Sequence, residues 1–380
     1  MLSNYLMHTS KKVKYLSIYL SHSKMNPETL LAEAILDSMN KYTQGLLKVQ
    51  HLMRDGIDVG STPADVVYVG RKIRLLHYKN KKVTHRIPVI VVYALINKYY
   101  ILDLQPDRSF VNNLCNQGFD VYMVDWGTPE PIDKHLTFDD YIGRYLDRLV
   151  NMVMDKSSTD KVILVGYCQG GTMSTMYTAL KQDKVSNLVT IAPVIDTSKD
   201  NSVVASLCKS LDADRIVDAY GNLPPEFLHR FYTMLKPFSQ GIYKYVNFSE
   251  NIDDEYFRMN FLRVERWLYD TPAIAGGLFR QWINDIYKRN ALVKGEFYLC
   301  GKRIDLKSIE VPLFNIVASD DHLVAPLCST ALNQHVSSED KTLRVYTCGH
   351  IGLIASKLSQ TVILPELGRW LSHKVNHIIN

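Results

Sequence analysis

Between Pro27 and about Val49, apolar residues recur at helical spacing, at Leu31, Ile35, Met39, Tyr42 and Leu46, which predicts one amphipathic helix. The helix opens on Asn26-Pro27-Glu28, a cap, a first-turn proline and an acid near its positive end. Residues 66–78 (VVYVGRKIRLLHY) then read as a β-hairpin turning around Gly70. After that the pattern changes. Apolar runs at Pro88–Tyr93, Val121–Trp126, Val162–Val165, Leu188–Ala192 and Leu313–Ala318 suit buried strands. Helical patterns separate them: Arg108–Asn116, ended by Gly118; Phe138–Met154, with apolar residues from Tyr141 to Val153 on one side; and Thr172–Leu180. Strands alternating with helices predict an α/β chain whose parallel sheet is covered on both faces.

Between the last two strands the alternation stops, roughly over residues 198–305. This stretch is rich in aromatics, among them Phe227, Phe231, Tyr232, Trp267, Phe279, Trp282 and Tyr287, and reads as several short helices. About a hundred residues is far more than a connection needs, so the stretch is expected to be a lid or cap over the C-terminal edge of the sheet. Four parts follow: an N-terminal extension and helix (1–60), a first core part (61–197), the insertion (198–305) and a second core part (306–380). Neither internal repeats nor low-complexity linkers interrupt them.

Composition narrows the function without naming it. A net charge of +5 over 380 residues, with 22% charged and 46% hydrophobic residues, fits an ordinary folded protein and argues against nucleic-acid binding. One basic run (Arg71, Lys72, Arg74, Lys79, Lys81, Lys82 and Arg86) reads first as a solvated hairpin and second as a contact for an anionic ligand. The six cysteines (Cys115, Cys168, Cys208, Cys300, Cys328 and Cys348) form no CxxC pair. That pattern predicts neither disulfides nor zinc, and a reducing cytoplasm. Residues 1–24 are expected to be a dispensable extension or a misplaced start, with Met25 the more natural beginning. No stretch reads as a membrane span.

The chemistry concentrates in KVILVGYCQGGTMS. A buried strand ends at Gly166, and Gly166-Tyr167-Cys168-Gln169-Gly170-Gly171 leads into a helix, which is the G-x-S-x-G nucleophile elbow with cysteine for serine. A strained turn needs small flanking residues, and it sets the sulfur at a helix N-terminus that stabilises thiolate. The Gln169 N–H would face the developing oxyanion, with Leu95 or Ile96 after the strand ending at Tyr93 as the second donor. An elbow of this kind requires an acid and then a base later in the chain. Asp320-Asp321-His322 follows the strand Leu313–Ala318, and His350 lies in a glycine-flanked loop after a short strand at Leu343–Tyr346. His350 is the expected base, with His322 its rival; Asp320 and Asp321 compete as the acid.

These residues also carry a resemblance. YALINKYYILDLQPDRS (93–109), VDWGTPEP (124–131), LTFDDYI (136–142), GYCQGGTMS (166–174), LKPF (235–238), ERWLYDTP (265–272), DHLVAP (321–326) and CGHIG (348–352) resemble, in order, the polyhydroxyalkanoate synthases. The similarity runs from about residue 60 to 372 and is nearest to the short catalytic subunits of class III, with class IV close behind. It implies an α/β-hydrolase fold with a large helical lid, Cys168 as acylated nucleophile, Asp321 rather than Asp320 as acid, and His350 as base. It further implies (R)-3-hydroxyacyl-CoA, most simply 3-hydroxybutyryl-CoA, as substrate and a growing polyester chain as product. A small accessory subunit, a homodimer and a place on cytoplasmic polyester granules are implied as well, with no metal or prosthetic group. Ala325 and Cys348 depart from the family's usual proline and glycine; Cys348 is expected to pack. The rival readings are a compact Cys-dependent hydrolase of the dienelactone hydrolase or thioesterase kind, and a non-catalytic granule scaffold.

Overall fold

The computed structural model describes residues 27–54, 56–80, 82–235 and 237–377. The expected N-terminal extension, residues 1–24, and Lys81 of the basic run lie outside the described residues. Two compact units emerge: the described residues of Met1–Ile57 and Lys236–Leu262, and those of Asp58–Leu235 and Arg263–Asn380.

The smaller unit is built on helix α1 (Pro27–Arg54). Val49 packs with Tyr245, Phe248 and Leu262, and Tyr42, Leu46 and Met53 line the edge of that cluster. At Gly45 a side chain would strike the Tyr245 carbonyl, so the bare backbone sets how closely α1 and the helix Lys244–Glu250 approach. The first half of the predicted apolar stripe is exposed, with Leu31 at 62% and Met39 at 60%.

The larger unit holds an eight-stranded sheet in the order β1-β2-β4-β3-β5-β6-β9-β10. The hairpin of β1 (Ala64–Gly70) and β2 (Ile73–Tyr78) is antiparallel and joins β4 (Val121–Asp125) antiparallel as well. From β4 onward the ladder is parallel through β3 (Val89–Val92), β5 (Val162–Tyr167), β6 (Val185–Ile191), β9 (Leu313–Ala318) and β10 (Lys341–Tyr346). The remaining pair, β7 (Tyr298–Leu299) and β8 (Lys302–Arg303), forms a separate small hairpin. Strands β3, β4, β5, β6 and β9 are buried at every residue, which is why their sequences run continuously apolar instead of alternating. Alternation survives in which layer each side chain meets. Ile90, Val92 and Leu164 join one apolar layer, whereas Val89, Val91, Ile163 and Val165 join the other.

Local chemistry moves the predicted helix limits by a few residues. Helix α2 (Phe110–Asn116) begins after Ser109, not at Arg108, because the Ser109 side chain accepts the Asn112 N–H at 2.9 Å. The expected helix Phe138–Met154 consists of a π-helical stretch, Asp139–Leu146, continued by α3 (Asp147–Ser157). Tyr141, Ile142, Leu146, Leu149 and Val153 on it are buried as their spacing requires. The basic hairpin faces acids: Arg71 pairs with Asp133, Lys72 with Glu130, Arg74 with Asp125 and Lys79 with Asp65. Those pairs answer four of the run's seven positive charges within the chain.

Residues of the expected insertion belong partly to each unit. Within the larger unit, 198–235 and 263–305 contribute helices that pack on the sheet layer through Leu223, Leu228, Leu278, Phe279, Trp282 and Ile283. No helix among the described residues is long and apolar enough to cross a membrane.

Candidate active site

Strand β5 runs into helix α4 (Gln169–Lys181) with Cys168 alone at the bend, at φ 54° and ψ −121°. This backbone is sparsely populated by any L-residue, and its surroundings hold it there. The Cys168 N–H donates to the Ile191 carbonyl at 2.8 Å, and the Cys168 carbonyl accepts from the Gly171 N–H at 2.9 Å. The flanking glycines are spatial requirements. A Cβ on Gly166 would lie 2.6 Å from the Gly171 Cα, and one on Gly170 would run into the Val92 carbonyl of β3. The sulfur is thus held half-buried at the positive end of α4, the thirteen-residue helix that follows it.

Asp321 and His350 come from the loops that follow β9 and β10. His350 Nδ1 lies 2.6 Å from Asp321 Oδ2, and both side chains are buried. The other carboxylate oxygen of Asp321 accepts the Leu323 N–H at 2.9 Å and the Val324 N–H at 3.1 Å. Burial alone would raise the Asp321 pKa, but the His350 charge and these hydrogen bonds bring it below the usual carboxylate value. For His350, burial works downward, while the Asp321 charge, the Cys168 charge and hydrogen bonds to both groups raise its pKa above the ordinary imidazole value. Cys168 is thus near enough to the imidazole that Asp321 orients to help raise the His350 pKa. Asp320 and His322 are exposed and take no part in this constellation.

Of the two candidates for the second oxyanion donor, Leu95 has its N–H engaged by Gln169 Oε1 at 3.1 Å inside the protein. Ile96, the other candidate, lines the same cavity as Cys168 and Gln169. Sequence reasoning missed what braces this loop. Asn97, at φ 62°, donates through Nδ2 to the Trp267 carbonyl at 3.1 Å and to Thr271 Oγ1 at 2.8 Å. The Trp267 indole donates to the Lys98 carbonyl at 2.8 Å, the Trp126 indole to the Tyr93 carbonyl at 2.9 Å, and Tyr100 to Asp270 at 3.0 Å. The signal for this bracing was present in the segments YALINKYY, VDWG and ERWLYDTP, whose residues meet here. Tyr167 was a second omission. Its ring sits 5.1 Å from that of His350 and stacks with that of Tyr93 at 5.8 Å.

Cys168 and Gln169 open onto a cavity of about 80 Å³ whose walls come from the core loops and from the inserted helices. Leu95, Ile96, Val194 and Leu323 line one side; Phe231, Tyr232, Phe279, Trp282 and Tyr287 belong to the other. Cys208 lines it too, with burial pushing its thiol up to about 12. Cys348 lies outside this lining, half-buried against the apolar layer that contains Leu353 and Ile354, its pKa pushed up to about 11 mainly by burial. No group of three or more His, Cys, Asp or Glu among the described residues is placed to hold a metal ion.

Comparison with known proteins gives the arrangement its family. Residues 87–356 match the alpha/beta hydrolase fold family, and residues 31–114 match the N-terminus of poly-beta-hydroxybutyrate polymerase, PhaC. The poly(3-hydroxyalkanoate) polymerase subunit PhaC of Allochromatium vinosum is 40% identical over 347 residues, 90% of this chain and 97% of that protein. The chain belongs to the poly(3-hydroxyalkanoate) polymerase family. The PhaC subunit of Synechocystis is 38% identical over 89% of this chain and 92% of its own length. That of Haloferax mediterranei is 43% identical over 84% of this chain, which spans 65% of the Haloferax protein. The polymerase fold is also seen in a putative lipase from Sulfolobus solfataricus (TM-score 0.54, 12% identity, 82% of this chain and 99% of that one). A thermophilic esterase from Thermogutta terrifontis is similar at TM-score 0.51 and 13% identity, over 83% of this chain and 99% of that one.

Proposed function

We propose that the chain is a poly(3-hydroxyalkanoate) polymerase that carries the growing acyl group as a thioester on Cys168. The observation that supports it is the linked set of Cys168, His350 and Asp321, opening onto an apolar cavity in a member of this family. His350 takes the Cys168 proton, and the sulfur attacks the thioester carbonyl of an (R)-3-hydroxyacyl-CoA. The N–H groups of Gln169 and Ile96 hold the oxyanion until it collapses and expels CoA thiolate, which leaves with the proton from His350. The hydroxyl of a second 3-hydroxyacyl-CoA then gives its proton to His350 and attacks the Cys168 thioester. A C–O bond forms, the C–S bond breaks, and His350 returns the proton to the departing Cys168 sulfur; the lengthened chain, now a CoA thioester, is taken back by Cys168 with release of that CoA. No metal or prosthetic group is needed.

The resemblance to short catalytic subunits favours short monomers such as a 3-hydroxybutyryl group, and the cavity beside Cys168 offers them a mostly apolar wall. The match to short catalytic subunits favours a class III or class IV enzyme working with a small accessory subunit, as a homodimer at the granule surface in the cytoplasm. The test mixes the purified chain with (R)-3-hydroxybutyryl-CoA, with and without such a subunit, and follows thiol release and turbidity. Thiol release and polymer from wild type, and neither from Cys168→Ala, are expected. Equal turnover by the two overturns the reading, and free hydroxy acid without polymer replaces it with a hydrolase.

A further inference from the structure

The cavity beside Cys168 is apolar along most of its wall but contains two phenols, Tyr232 and Tyr287. Tyr287 is only 4% exposed, yet its hydroxyl hydrogen-bonds to no other group among the described residues. A phenol hydroxyl on a cavity wall without a protein partner is available to hydrogen-bond a bound group. The backbone around it is firmly held. Thr197 Oγ1 donates to the Ile286 carbonyl at 2.7 Å, and Thr197 Oγ1 also reaches Asn290 Oδ1 at 3.1 Å. Tyr287 is therefore a fixed donor, whereas Tyr232 is only half-buried.

We infer that the Tyr287 hydroxyl donates a hydrogen bond to the oxygen at C3 of the acyl group carried on Cys168, and so selects 3-oxygenated acyl chains. The substrate class fits on chemical grounds. A short 3-hydroxyacyl group is apolar except for its carbonyl, which faces the oxyanion donors, and its C3 oxygen, which needs one partner inside an apolar pocket. Once that oxygen is esterified in the polymer it accepts but no longer donates, so a phenol donor suits both stages. Burial, then the neighbouring charges of Cys208, Asp200, Cys328 and Cys168, hold the Tyr287 pKa well above the ordinary phenol value. The group remains a donor throughout the working range.

This assignment rests on the acyl-transfer reading above, and one assay separates the two. Single-turnover thiol release is measured for (R)-3-hydroxybutyryl-CoA and for butyryl-CoA, which lacks only the C3 oxygen, with wild type, Tyr287→Phe and Tyr232→Phe. One hydrogen bond of ordinary strength is worth about 5- to 10-fold in rate, so the ratio of kcat/KM for the two substrates should fall by about that factor in Tyr287→Phe. A ratio that stays within twofold of wild type overturns the assignment, as does a fall confined to Tyr232→Phe. Absence of Cys168-dependent thiol release from wild type instead removes the acyl-transfer reading itself. Tyr287→Phe deletes one oxygen from the cavity wall, and thermal unfolding of the variant confirms that the comparison is made on folded protein.

Discussion

Replacing Gln169 by leucine tests whether one side chain sets the oxyanion geometry. The substitution keeps the backbone N–H proposed to face the oxyanion and most of the side-chain volume. It removes the Oε1 that accepts the Leu95 N–H at 3.1 Å. Gln169 and Leu95 are both buried, so the orphaned N–H loses its partner inside the protein. Leaving such a donor unsatisfied costs about 1–3 kcal/mol, and urea unfolding of the folded chain should show a loss in that range. The kinetic effect should exceed what stability alone explains, because the freed Leu95-Ile96 segment carries the proposed second oxyanion donor. A misplacement of about 1 Å in such a group can cost around 10²-fold. Single-turnover thiol release from (R)-3-hydroxybutyryl-CoA measures it. Stability within about 0.5 kcal/mol of wild type, together with unchanged acylation, would refute the reasoning. The loop would then be fixed by Asn97 and Trp267 alone.

Two further substitutions follow from the same geometry. Asp321→Asn removes the foremost influence that raises the His350 pKa against burial, so the imidazolium should lose its proton at lower pH. The alkaline limb of kcat/KM against pH should move down; acylation should persist while elongation slows by about 10²-fold or more. The stability gap to wild type should be widest between the unfolded-state values of about 3.9 and 6.5. It should close as pH falls through the depressed Asp321 value or rises through the elevated His350 value. Gly170→Ala drives a methyl group into the carbonyls of Val92 and Tyr93. The better helix propensity of alanine returns at most about 1 kcal/mol, against about 1–3 kcal/mol for overpacking a core, so urea unfolding should show a net loss. Gly241→Ala, where the added carbon meets nothing within 4 Å, is the control that should not.

The strands were legible because the parallel sheet is buried on both faces, and an unbroken apolar run has few other places to go. Helix limits were less so, since they depend on single caps such as Ser109. The stripe on α1 shows a different failure. Its period is real from Leu31 onward, but the facing helix Lys244–Glu250 is only seven residues long, and the cluster takes in side chains from Tyr42 on. At the site, local spacing identified the turn around Cys168 through the glycines it requires. It left Asp320 and Asp321 open, because neighbours in a loop differ only in which one turns inward. It also left Leu95 and Ile96 open. The contact that tells them apart, engagement of the Leu95 N–H, comes from a side chain 74 positions further along the chain, which no window around residue 95 contains.

On the proposed mechanism, polymerisation succeeds only if the Cys168 thioester meets an alcohol before it meets water. Exclusion of water by the aromatic wall contributes, but positioning is the larger lever. A well-oriented nucleophile acts at an effective concentration of about 10⁵–10⁸ M, far above that of water in water. An alcohol held near the Cys168 carbonyl therefore wins even in a cavity that admits some solvent, provided that carbonyl and imidazole stay aligned. The braces on residues 94–98 and the Asp321–His350 pair maintain that alignment. Loosening them should cost fidelity as well as speed: Gln169→Leu should release more free hydroxy acid per CoA than wild type, measured by comparing acid and polymer recovered from the same reaction. An unchanged partition at a reduced rate would assign selection to water exclusion by the cavity wall instead.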